Sequence, residues 1–163
     1  MCIVIDTNSF SCVFDEHNSK HDDFKPVLEW IRDGKGKIVY GGTSYEKELE
    51  TAHKYVKIFS EFQKSDRVVV IDKATVDNKE KECKALVKHR NFNDAHIISI
   101  IVVSGVKLVC TDEKRAIRFL KDKRFYERGK RPKIYTSKKN ANLLCDSNIA
   151  DCCKPSPNLK KHR

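Results

Sequence analysis

No stretch of this 163-residue chain stays apolar for long. A membrane-spanning helix needs about 20 consecutive apolar residues. The longest candidate here, Ala95 to Val103, stops well short. The amino terminus has no charged region leading into a long apolar one, because Asp6 interrupts the run Cys2 to Ile5. No signal peptide is therefore expected. Paired cysteines at ligand spacing are missing too. Structural zinc sites draw on two such pairs, and here only Cys152 and Cys153 are close in sequence, without a matching pair. A zinc knuckle is therefore not expected. The seven cysteines (Cys2, Cys12, Cys83, Cys110, Cys145, Cys152, Cys153) are odd in number and sit partly inside strand-like or helix-like runs. They read as reduced thiols of a cytoplasmic protein, some buried as small hydrophobes. Internal repeats are absent.

A positive excess is also missing from the first two-thirds of the chain. Residues 1–113 carry 17 Lys and Arg against 19 Asp and Glu, whereas residues 114–163 carry 16 against 4. The net charge of +10 thus arises wholly from the last third. Such asymmetry suits a nucleic acid or another acidic partner. At 39% hydrophobic and 34% charged residues, the chain can bury one core. We expect a folded domain over residues 1–136 and a basic, partly flexible tail over 137–163, where periodicity fades and Pro155 and Pro157 follow.

Short apolar runs predict strands at Cys2 to Ile5, Lys37 to Tyr40, Val68 to Ile71, Lys107 to Cys110 and Lys133 to Tyr135. Helical spacing fills the intervals: a helix from Asp22 or Asp23 to Asp33, and one capped by Thr43 or Ser44 that runs on to Phe62. A third starts at Asp72 or Thr75, an apolar one runs from Asp94 to Ser104, and a short one from Glu113 to Leu120. Alternating strands and helices predict an α/β fold, a three-layer Rossmann-like sandwich with a mainly parallel central sheet.

Acidic residues follow the ends of several predicted elements. Asp6 ends the first strand, and Glu46 and Glu48 follow the second. Asp94 opens the apolar helix, and Asp112 with Glu113 follows the fourth strand. Ligands of open α/β sheets bind outside the carboxyl ends of the strands. Carboxylates gathered there repel, and a hard divalent cation such as Mg²⁺ or Mn²⁺ relieves the repulsion. Helix capping is an equally open role for Asp6 and Asp94. Asn8 suits a hydrogen bond to Asp6 or a turn. Lys114, Arg115 and Arg118 suit phosphate contacts or a solvated helix face. His96 reads as a packing or surface group. Asp72, after the third strand, is the one residue that would fit a phosphate-accepting receiver domain.

Over Met1 to Tyr135 the chain resembles the PIN-domain nucleases, which include many bacterial toxins. Ile3 to Phe10 (IVIDTNSF) is similar to the family's opening strand and Asp-x-Asn motif. Tyr45 to Glu50 (YEKELE) is similar to its Glu-Leu helix, with Glu48 the better register and Glu46 the alternative. Asn93 to Ile100 (NDAHIISI) is similar to its Asp-Ala helix. Val109 to Ala116 (VCTDEKRA) stands at its Thr-Asn-Asp position, which leaves Asp112 or Glu113 as the fourth acid, Asp112 being preferred. The resemblance implies a Mg²⁺- or Mn²⁺-dependent endoribonuclease whose catalytic residues are Asp6, Glu48, Asp94 and Asp112. It implies Asp6, Asp94, Asp112 and Glu113 as metal ligands and RNA, single-stranded or structured, as substrate. A role as a toxin or defence effector, an inhibitor or operon-encoded protein partner and an oligomer are compatible with it. The alternative is a catalytically inactive nucleic-acid-binding or scaffold domain on the same fold.

Overall fold

The computed structural model describes residues 2–154. Five strands form one parallel sheet: β1 (Cys2–Ile5), β2 (Lys37–Gly41), β3 (Val68–Ile71), β4 (Leu108–Cys110) and β5 (Lys133–Tyr135), in the order β3-β2-β1-β4-β5. All four pairings are parallel. The central strands β1 and β4 are buried along their whole length, as their uninterrupted apolar runs require when helices cover both faces. The edge strand β3 is buried only at Val68 and leaves Val70 exposed.

Seven helices flank the sheet in a three-layer α/β/α sandwich: α1 (Phe10–Phe14), α2 (His21–Arg32), α3 (Thr43–Thr51), α4 (His53–Lys64), α5 (Lys73–Leu86), α6 (Ala95–Ser104) and α7 (Lys114–Leu120). Helix α6 is buried from Ala95 to Ile101. An apolar circumference of this kind belongs between the sheet and another helix, and α5 packs against it. Gly105 ends α6 in the left-handed region at φ 71°, which glycine adopts without steric cost.

Two elements depart from expectation. The helix expected from Thr43 or Ser44 to Phe62 breaks at Ala52 (φ −89°, ψ 61°) into α3 and α4. The turn lets Tyr55 and Phe59 of α4 meet Phe10, with ring centroids 5.4 and 5.2 Å away. The residue preceding α3 is Gly42, at φ 86°. Thr43 does not cap; its hydroxyl donates to Asp77 of α5 at 2.6 Å. Beyond β5, three short 3-10 turns (Lys138–Leu143, Asp146–Asn148, Asp151–Cys153) continue to Lys154. Leu143, Leu144, Ile149 and Cys152 pack on the core, and Ala150 and Cys153 are buried in it. This part of the expected tail therefore belongs to the packed body. Pro155, Pro157 and the basic end lie outside the described residues. Among the described residues no helix is long and apolar enough to cross a membrane.

Candidate active site

Strands β2 and β3 lie on one side of β1, and β4 and β5 on the other. The direction of winding reverses between β1 and β4, so a crevice opens at their carboxyl ends. Asp6 leaves β1 at this point, only 2% exposed. Its Oδ1 accepts from the backbone N–H of Asn8 at 3.1 Å, and its Oδ2 accepts from the Thr111 hydroxyl at 2.9 Å. Asp6 thus caps the turn Thr7–Ser9 with one oxygen and reaches across the crevice to β4 with the other. Thr111, fully buried, also accepts from the backbone N–H of Glu113 at 3.0 Å. The Ser9 hydroxyl accepts from the backbone N–H of Asp112 at 2.8 Å. These bonds fix the two strand exits against each other.

Helix α3 supplies Glu48. The Tyr45 hydroxyl donates to the carbonyl of Ile5 at 2.7 Å, which locks α3 to the end of β1. Glu48 stands three residues on, on the same helix face. Its Oε2 accepts from the Thr7 hydroxyl and lies 2.9 Å from His96 Nε2. Burial opposes the charge on Glu48, but the hydrogen bonds from His96 and Thr7 outweigh it and hold the carboxyl below its ordinary range. Burial likewise opposes a charge on His96, yet the bond to Glu48 and that carboxylate's charge keep the imidazole pKa raised. Each partner therefore favours the charged form of the other. Glu46 faces elsewhere and pairs with Lys73 of α5 at 2.7 Å. Of the two registers left open by the sequence, Glu48 is the one at the crevice.

Asp94 stands at the start of α6 but its side chain makes no capping bond. It is 7% exposed. Burial and then the charge of Asp6 push its carboxyl up to about 6, with Glu113 and Glu48 adding to the repulsion and His96 opposing it. Burial also raises Asp6, against the hydrogen bonds from Thr111 and Asn8. Asp6, Glu48 and Glu113 thus all act on Asp94 through space, as carboxylates sharing a crevice do.

Asp112, preferred from the sequence as the fourth acid, turns away. Its Oδ2 accepts from Lys20 Nζ at 2.6 Å and faces the Cys12 thiol at 3.9 Å. Glu113, not Asp112, is the acid of this loop whose charge acts on Asp94. The physical reason is local. Ser9 and Thr111 hold the two backbone N–H groups, and Lys20 offers Asp112 a cation on the α2 side.

Basic groups lie close in sequence to the crevice acids. Lys114, Arg115 and Arg118 are exposed on α7, directly after Glu113. With Arg90 and Asn91, four and three residues before Asp94, they line an open depression of about 440 Å³. A separate groove of about 410 Å³ runs past Thr7, Asn8, Lys47, Glu48 and Thr51. A larger cavity of about 720 Å³ lies at the other end of the sheet, between the end of α6 and the start of β5, away from the acids.

Three residues escaped the sequence reading. His96 was hidden by the apolar helix around it. Thr111 stood only as a motif letter. Arg90 was one charge in a polar loop. The signal for His96 was present all the same, since a polar residue on a fully buried helix face needs a partner.

Asp72 is spent on a cap. It accepts from the backbone N–H and the hydroxyl of Thr75, at 3.0 and 2.6 Å, beside the edge strand β3. A receiver-type phosphate acceptor gains nothing from this placement.

The donors suit a hard cation: Asp6, Asp94 and Glu113 offer carboxylate oxygens without a cationic partner of their own among the described residues. Their oxygens are not drawn tightly together. Among the described residues, the only group of three metal-binding side chains with ligand atoms within 4.8 Å of one another is made of cysteines. Mg²⁺ tolerates this arrangement, because it keeps several waters and is held by one or two carboxylates plus substrate phosphates. The chain matches no protein-family model, no curated protein and no solved structure.

Proposed function

We propose that this chain is a divalent-metal-dependent endoribonuclease whose active site is the crevice between β1 and β4. The observation that carries the reading is the placement of Asp6, Asp94 and Glu113 beside Glu48 at the carboxyl ends of β1 and β4, where burial first and the charge of Asp6 second push Asp94 up to about 6. A buried carboxyl perturbed in this way in a crevice marks a functional-site candidate, and a bound cation would stabilise its charged form. The resemblance to PIN-domain nucleases in the order of these acids supports the same reading.

Asp6, Asp94 and Glu113 would hold Mg²⁺ or Mn²⁺. A bound ion of this kind neutralises charge on a scissile phosphate and lowers the pKa of its water. The chain's own groups do the rest. Thr111 and the Asn8 N–H aim Asp6. His96 keeps Glu48 ionised and turned toward Thr7. Arg90, Lys114, Arg115 and Arg118 bind phosphates flanking the cut, which gives affinity without base choice.

A second reading, a nucleic-acid-binding domain without catalysis, is favoured by the wide spacing of the acids and by the occupation of Asp112 by Lys20. One assay separates the two. The purified chain is incubated with total RNA in Mn²⁺, in Mg²⁺ and in chelator. Metal-dependent fragments ending in 5′-phosphate support the nuclease. RNA binding with no metal-dependent cleavage supports the second reading.

A further inference from the structure

We propose that Cys2, Cys152 and Cys153 form a second metal site, one that takes a soft or borderline ion, with Zn²⁺ its occupant. Cys2 is the first residue of β1, at the centre of the sheet. Cys152 and Cys153 lie in the last described turn, 150 residues further along. Their three sulfur atoms all lie within 4.8 Å of one another. The Cys152 and Cys153 sulfurs are 3.7 Å apart. Two thiolates on a tetrahedral zinc, each about 2.3 Å from it, are separated by about 3.8 Å. The spacing of this pair therefore already matches an edge of the zinc tetrahedron.

The surroundings favour a metal over the two other fates of clustered thiols. A disulfide uses two sulfurs and strands the third, and all three are free in this structure. Simple hydrophobic packing does not call for three thiols to converge. Cys2 and Cys153 are buried while Cys152 is partly open, so the site has an entry path and room for water as a fourth ligand. Three thiolates on Zn²⁺ carry one net negative charge. Thiolate ligands select soft and borderline ions, and oxygen ligands select Mg²⁺ and Mn²⁺.

The two sites are physically separate. Cys2 begins β1 and Asp6 follows its end, four residues on. Four extended residues span about 13 Å, too far to share an ion. The cysteine site stands whether or not the crevice is a nuclease. Its role is to clamp the end of the packed body onto the first strand. Closing so long a loop removes entropy from the unfolded chain.

Cobalt substitution tests the proposal. The reduced, metal-free full chain is titrated with Co²⁺ and then with Zn²⁺. One Co²⁺ per chain with thiolate-to-cobalt charge-transfer absorption, displaced by Zn²⁺, is expected. In Cys152→Ser and Cys153→Ser, affinity falls by at least the roughly 100-fold that loss of a mere supporting partner costs. Cys145→Ser and Asp94→Asn leave the absorption intact. Cys2→Ser disturbs the core, so the exposed-side variant Cys152→Ser, checked for fold by circular dichroism, carries the decision. No charge-transfer absorption from the folded parent, or absorption unchanged in Cys152→Ser, overturns the site. So does a chain that forms a Cys2 disulfide in air and takes up no cobalt when reduced.

Discussion

Two aspartates sit in the same place in the chain's grammar, between a strand or loop and a helix, and end differently. Asp72 follows the edge strand β3 and accepts both the N–H and the hydroxyl of Thr75, so its carboxyl is held below the ordinary range by those bonds. Asp94 precedes α6, makes no capping bond, and is pushed up to about 6 by burial and by Asp6. At the sheet edge, solvent and local donors satisfy a carboxylate. In the central crevice, donors are scarce and other carboxylates are near. The first arrangement stabilises a helix. The second costs stability and leaves acids available for a cation.

The largest consequence concerns pH. Asp94 has a folded pKa of about 6 against 3.8 unfolded. A carboxyl raised on folding contributes stability that is fully present below the unfolded value and is lost as pH climbs through the folded one. Metal-free protein is therefore most stable near pH 4 with respect to this group and loses up to about 3 kcal/mol by pH 7. Asp6 works in the same direction. Urea unfolding between pH 4 and pH 7 measures the slope, and Asp94→Asn flattens it while raising stability at neutral pH. A slope unchanged by Asp94→Asn breaks the contrast with Asp72.

His96→Gln sharpens the contrast from the other side. The imidazole's raised pKa means its bridge to Glu48 stabilises the fold below the ordinary imidazole range and fades as pH rises past it. Removing one partner of a fully buried pair costs 3–5 kcal/mol, but Glu48 is 43% exposed. Screening reduces the cost to about 1–2 kcal/mol at pH 6, readable by thermal melting, with a smaller loss at pH 8. Asp72→Ala comes next. It should lower the melting temperature, as loss of a helix cap does, with metal-dependent activity retained. A loss of activity without a loss of stability would make Asp72 more than a cap.

Much of the scaffold was legible because burial imposes itself on sequence. The run Cys2 to Ile5 is apolar throughout and Ala95 to Ile101 is apolar except for His96 and Ser99, and each is enclosed on every side. Asp6 and Asp94 could be placed because they interrupt those runs. The remaining choices depended on contacts between distant residues. Glu46 or Glu48 was decided by Lys73 and by His96. Asp112 or Glu113 was decided by Lys20, which lies 92 residues upstream. The break at Ala52 follows from aromatic packing of Phe10 on α4, which no local propensity encodes. The cysteine cluster joins the two ends of the described chain, a convergence that ligand spacing along the sequence does not reveal.

The smallest expected effect lies on α7. Lys114→Ala should weaken RNA binding equally for all sequences and reduce the slope of log K against log salt by about 0.7, the share of one contact on a single strand. Salt titrations of a labelled oligonucleotide give that slope. Lys81→Ala, on the exposed face of α5, should leave it unchanged.

The most direct test of the crevice as a metal-dependent nuclease is the rate of Mn²⁺-stimulated cleavage of single-stranded RNA by the parent, Asp94→Asn and Asp72→Asn, each confirmed to be folded. The account predicts cleavage by the parent and Asp72→Asn, and a loss of at least about 100-fold in Asp94→Asn, beyond the loss of a supporting group. Equal cleavage by the parent and Asp94→Asn would contradict it.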